Sequence, residues 1–167
     1  LQLNSNQGHV WLEDCTFYNT DPVSPGNPVL ASVPGAVITN CISVTAVRCE
    51  FRGRKQVYTT WPFSWTLPGI HATSSSLVIH DSLLEGSDGA GGKPCFGACP
   101  GTQGGAGLTL DGGFAFITNS TLTGGQGLPG GAGTTLLNCG QGGHGGHGLM
   151  TIGTGPASLT LVGTTVV

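Results

Sequence analysis

Hydrophobic and polar residues alternate along this chain in short runs, and the runs recur. One set opens on a glycine: Gly35-Ala36-Val37-Ile38-Thr39, Gly69-Ile70-His71-Ala72-Thr73, Gly107-Leu108-Thr109-Leu110-Asp111 and Gly148-Leu149-Met150-Thr151-Ile152. A second set, over 10–17, 46–51, 77–84, 116–122 and 159–166, carries a small polar step. The steps are Asp14-Cys15, Arg48-Cys49, Asp81-Ser82, Asn119-Ser120 and Gly163-Thr164. A period of two is that of a strand with one buried face. The glycine openers stand 34, 38 and 41 residues apart, so one unit repeats with insertions of growing length. Such spacing predicts a solenoid in which each strand pairs in parallel with its equivalent in the next coil, about 4.8 Å away. No coil buries its own inner face, so stability has to come from stacking.

Four insertions, at 18–34, 52–68, 86–106 and 124–147, fall at one phase of the repeat and are expected to project from one side as neighbours. The first is rich in proline and the second holds an aromatic run. The third and fourth are rich in glycine and read as loops. Both ends, Leu1-Gln2-Leu3 and Thr164-Thr165-Val166-Val167, read as strand. The chain has neither an initiator Met nor a charged-then-apolar leader, and it is read as a segment or processed product of a longer protein.

Strings such as Ser76-Leu77-Val78-Ile79-His80-Asp81-Ser82-Leu83-Leu84-Glu85-Gly86 and 115–125 resemble the right-handed parallel β-helix repeats of secreted bacterial proteins, the pectate lyase-like scaffold. The resemblance implies an all-β fold: a single-stranded right-handed parallel β-helix of about four to five coils, forming one domain over 1–167. It concerns a scaffold that unrelated functions share, and it implies no reaction.

Composition narrows the function classes. Charged residues make up 8% of the chain against about a quarter in a typical domain, and the 31 glycines rule out a helical bundle. The formal charge is -3, and the only basic cluster is Arg48, Arg52, Arg54 and Lys55, so no nucleic-acid partner is expected. No apolar run reaches the roughly 20 residues of a membrane helix. Six cysteines at spacings that match no zinc pattern point to an oxidising setting, secreted or at a cell surface. Cys15 and Cys49 share a phase in successive coils, which permits either a disulfide or two stacked free thiols. Cys95 and Cys99 lie in one Pro/Gly loop and suit a local bridge, with Cys139 as a competing partner.

Candidate chemistry is sparse. Asn19-Thr20-Asp21 and the Gly-His-Gly strings at 143–145 and 146–148 resemble two signatures of polygalacturonase-type hydrolases. Those enzymes also need an adjacent aspartate pair and an Arg-x-Lys motif, and neither exists here. A lyase needs a cation, usually calcium, held by clustered carboxylates. The eight acidic residues are scattered, so neither a catalytic residue nor a cofactor is assigned. Asp14 and Asp81 share one phase with Arg48 between them, which reads as a bend ladder with offset charges. His144 and His147 form a weak metal candidate within a glycine loop.

Tyr58, Trp61, Phe63 and Trp65 are the contact candidates. Trp61, Phe63 and Trp65 alternate, so in an extended segment their rings face one way, either to stack on sugar or to cover the apolar flank. Two functions are therefore expected ahead of an enzyme. The first is an extracellular structural subunit that self-associates through open coil ends into a filament. The second is a polysaccharide-binding module that uses 52–68. A polysaccharide lyase or hydrolase stands third.

Overall fold

The structure is a computed structural model that describes residues 1–18, 34–53, 67–89, 101–130 and 142–167, with only the backbone of Thr154. Among these residues regular structure is strand throughout. In chain order the strands are β1 (Gln2–Asn4), β2 (His9–Glu13), β3 (Thr16–Tyr18), β4 (Ala36–Thr39), β5 (Ser43–Val47) and β6 (Glu50–Arg52). They continue as β7 (Ile70–His80), β8 (Leu83–Glu85), β9 (Leu108–Thr118), β10 (Thr121–Thr123), β11 (Leu149–Val162) and β12 (Thr165–Val166). Every pairing is parallel. The residue after each glycine opener meets its equivalent, Ala36 with Ile70, Ile70 with Leu108 and Leu108 with Leu149. Likewise Leu77, Val78 and Ile79 pair with Ala115, Phe116 and Ile117.

The closed single-stranded β-helix is corrected by this topology. The strands divide between two separate sheets: a seven-stranded one holding β1, β4, β7, β5 and β2 with β9 and β11, and a five-stranded one in the order β12-β10-β8-β6-β3. The physical reason lies at the polar steps. Asp14, Arg48, Asp81 and Asn119 have φ of 48–52°, and Gly163 has 59°. At this column the strand of the larger sheet ends and the next short strand belongs to the other sheet, so these left-handed residues mark where the chain changes sheet. A second left-handed column, Ser5, Asn40, Ser74, Gly112 and Gly153, bends the chain inside the larger sheet, where β7, β9 and β11 run on through it.

The residue after each bend closes the hydrogen-bonding account. Cys15, Cys49, Ser82, Ser120 and Thr164 each turn a thiol or hydroxyl back to the carbonyl two residues earlier, at 2.6–3.3 Å. Cys41 and Ser75 do the same after the other column. The hydroxyls also accept from the neighbouring strand: Cys49 N–H donates to Ser82 Oγ at 3.0 Å, and Ser82 N–H to Ser120 Oγ at 3.1 Å. At the buried Cys49, Ser82 and Ser120 the polar groups that follow the bend are thereby satisfied without water.

We call the strands of one chain pass a row. Inward side chains of equivalent strands form columns through the rows, and both sheets contribute to one core. One column runs Phe17, Phe51, Leu84, Leu122 and Val166, with Phe17 and Phe51 stacked at 5.1 Å between ring centroids. Another runs Leu12, Ala46, Ile79, Ile117 and Leu161. Phe51 has no exposed surface. Its truncation to Ala is expected to cost about 3–5 kcal/mol in urea unfolding.

The glycine-rich insertions, expected as loops, are packed where they are described. Gly105 N–H donates to Ser87 O at 2.7 Å, Gly125 N–H to Gly105 O at 2.9 Å and Gly146 N–H to Gly125 O at 2.7 Å. Glycines recur at every third residue in these legs, at 86 and 89, 101 and 104, 124 and 127, 143 and 146. At these glycines neighbouring backbones come together with no side chain between them. A Cβ at Gly104 would drive into the carbonyl of Gly125, and one at Gly125 into that of Ser87. Gly104→Ala or Gly125→Ala is expected to cost about 1–3 kcal/mol by thermal unfolding. Gly142→Ala, whose nearest neighbour would be Pro129 Cα at 3.9 Å, is expected to be close to neutral.

Candidate functional site

The columns that build the core do not close at either end. Leu122 and Ile117 have no exposed surface, yet their next partners Val166 and Leu161 are 45% and 38% exposed. At the opposite end Leu3, Val10, Leu12 and Phe17 are only partly buried against the core, whereas Ile38, Val44, Ala46 and Phe51 beside them are buried. The backbone follows the same pattern. Among the described residues β11 pairs only with β9 and β12 only with β10, while β1, β2 and β3 pair only with β4, β5 and β6. Among the described residues each terminal row thus has an unpaired strand edge with apolar side chains along it, which strands of a longer chain or of another copy could extend.

The first row carries the strongest charge arrangement. Arg48 donates from Nε to Asp14 Oδ1 at 2.7 Å, from Nη2 to Asp14 Oδ2 at 3.0 Å and from Nη2 to Glu13 Oε1. It therefore holds the two carboxylates of the first row, and not Asp81 across the column. Trp11 Nε1–H donates to Glu13 Oε2 at 3.1 Å. The Trp11 bond, then Arg48, holds the Glu13 carboxyl below its usual range, and the Arg48 bond does the same for Asp14. Arg52 bridges Glu50 and Glu85 in the next rows. These groups are well exposed to solvent, so each pair is worth little alone.

The other anticipated residues separate into those described and those outside. Tyr58, Trp61, Phe63 and Trp65 lie outside the described residues, as do Cys95, Cys99 and Cys139. His144 and His147 stand exposed on the last glycine leg, where their carbonyls accept from Gly104 and Gly107 at 3.0 Å. No group of three or more His, Cys, Asp or Glu side chains assembles among the described residues. His80 Nδ1 meets Thr118 Oγ1, while His71 Nε2 is buried without a hydrogen-bond partner. Cys15 and Cys49 are adjacent in register, and both are free thiols.

Sequence reasoning missed a cleft of about 590 Å³ beside the bulge where β9 and β11 lose register between Ile152 and Ala157. Thr73, Ser74 and Asp111 supply its polar groups, and glycines 112, 113, 153 and 155 form much of the wall. The doublet Gly112-Gly113 was the available signal for it. One carboxylate in an open cleft lacks the acid and base pair that glycoside hydrolysis requires. No described helix is long and apolar enough to cross a membrane. Comparison with protein-family models, with curated proteins and with solved structures finds no match to this chain.

The carboxylates of the first row set a pH dependence. Their folded pKa values lie below the usual 4.5 and 3.8, so their contribution is complete above those values and is lost as pH falls through the folded ones. Protection of residues 9–18 against proteolysis is expected to be steady from pH 7 to 5 and to decline below about pH 4. Arg48→Ala should flatten that dependence.

Proposed function

We propose that this chain is a structural module that assembles end to end, the edge of β11 and β12 in one copy receiving β1, β2 and β3 of the next. The supporting observation is that core columns buried in the middle rows become half-buried in the first row and exposed in the last. Laid over one another in parallel, the two ends place Val10 above Leu159, Leu12 above Leu161 and Phe17 above Val166, each a continuation of an existing column. Every newly buried aliphatic side chain contributes roughly 1.5–3 kcal/mol before ordering costs. The contact is heterologous and does not close on itself, so repetition yields a filament. An extracytoplasmic location belongs to the same reading, on the low charge content and the six cysteines. The function needs no catalytic residue and no cofactor.

Single-edge variants test it. Leu161→Lys with Val166→Lys blocks one edge, and Leu12→Lys blocks the other. Sedimentation and scattering of the unmodified chain should show size growing with concentration. Each variant alone should remain monomeric, and a mixture of the two should stop at a dimer through the surviving pair of edges. A strictly monomeric unmodified chain at millimolar concentration contradicts the proposal.

A further inference from the structure

The residues that follow the bend column ending the larger sheet are Cys15, Cys49, Ser82, Ser120 and Thr164, so sulfur replaces oxygen in two adjacent rows. Their register is set on both sides: Asp14 N–H donates to Val47 O at 3.1 Å, and Glu50 N–H donates to Cys15 O at 2.8 Å. Thr16 then pairs with Glu50. Parallel neighbours in register lie about 4.8 Å apart, inside the window of roughly 4.4–6.8 Å that a disulfide spans between Cα atoms. Each thiol points back to the carbonyl two residues earlier, Cys15 to Glu13 at 3.2 Å and Cys49 to Val47 at 3.3 Å. The two sulfurs therefore stack on one side of the bend, and a change of χ1 brings them together.

We propose that Cys15 and Cys49 are a reversible redox pair that staples the first row to the second. Their environments divide the roles. Cys15 is half-buried and open to a small oxidant, whereas Cys49 is buried, and that burial pushes its thiol up from the usual range. Cys15, as thiolate, attacks a low-molecular-weight disulfide and forms a mixed disulfide, releasing one small thiol. Cys49 then gives up its proton and attacks the Cys15 sulfur, releasing the second small thiol. Two protein thiols are oxidised, one small disulfide is reduced, and the only new bond left on the protein joins the two rows. Cys41 is an internal control: it is buried at the other bend column, between Asn6 and Ser75, with no thiol beside it in register.

The staple is read on the protein itself and does not depend on assembly. The chain, held dilute, is treated with oxidised glutathione, quenched by alkylation and mapped by mass spectrometry. The expected product links the peptides of Cys15 and Cys49, weighs two hydrogen atoms less than their sum and disappears on reduction with dithiothreitol. Amide exchange across residues 9–18 should slow by about tenfold or more on oxidation. Cys15→Ser should abolish the link while leaving the fold intact by circular dichroism. A glutathione adduct that persists on Cys15 while Cys49 stays alkylatable overturns the proposal, as does a link from Cys49 to Cys41. If the staple forms and no filament does, the assembly reading alone fails.

Discussion

Parallel strands can stack indefinitely only if every row bends at the same residue, because one slipped position turns an inward side chain outward along the whole strand. The fold meets this constraint with two columns of left-handed residues. Seven of them are not glycine, and their φ values fall between 45° and 52°. Such backbone is unfavourable for most side chains, and it persists because the bends are tied to their surroundings. The ladder holds each before and after, at six of the seven a thiol or hydroxyl ties the exit to the carbonyl two residues back, and at Ser75, Ser82 and Ser120 the neighbouring row donates into that hydroxyl. From these bends follow the separation of the two sheets, the straight columns of the core and the alignment of Cys15 with Cys49.

The glycine legs are a second solution to the same problem of closing backbone against backbone. Strands shield their polar groups by pairing in sheets, while the legs at 86–89, 101–107, 124–129 and 142–147 do so through isolated bonds between extended chains. Their glycines exclude side chains from the contact, and the described legs form a layer of hydrogen-bonded backbone. That layer accounts for the abundance of a residue that would otherwise weaken a small fold through its entropy in the unfolded chain.

Much of this was legible in the residues. The openers at 35, 69, 107 and 148 mark the register because each precedes the first residue of a strand, and alternation in 77–84 and 116–122 names the core face. Division into two sheets was not legible: four of the five residues in the dividing column are Asp, Asn or Gly, types that suit left-handed backbone, but a polar step of that kind does not say that the strands on its two sides belong to different sheets. The order of the glycine legs was hidden for a different reason. Gly104 is constrained by Gly125 and Gly143 by Thr102, contacts between segments about twenty to forty residues apart, while local composition speaks only of flexibility. The exposed edge residues carried a partial signal: both terminal segments read as strand, but only the three-dimensional columns show that Leu161 and Val166 belong to the core pattern and lie outside its cover.

Stability resides in the middle rows and fades toward the first and last. Amide hydrogen exchange of the dilute, reduced chain, resolved by peptide, measures this directly. Slowest exchange over 36–52, 70–85 and 108–123, with clearly faster exchange over 2–18 and 149–166, is the expected gradient. Equal protection across all rows, or greatest protection in the first and last, would contradict it.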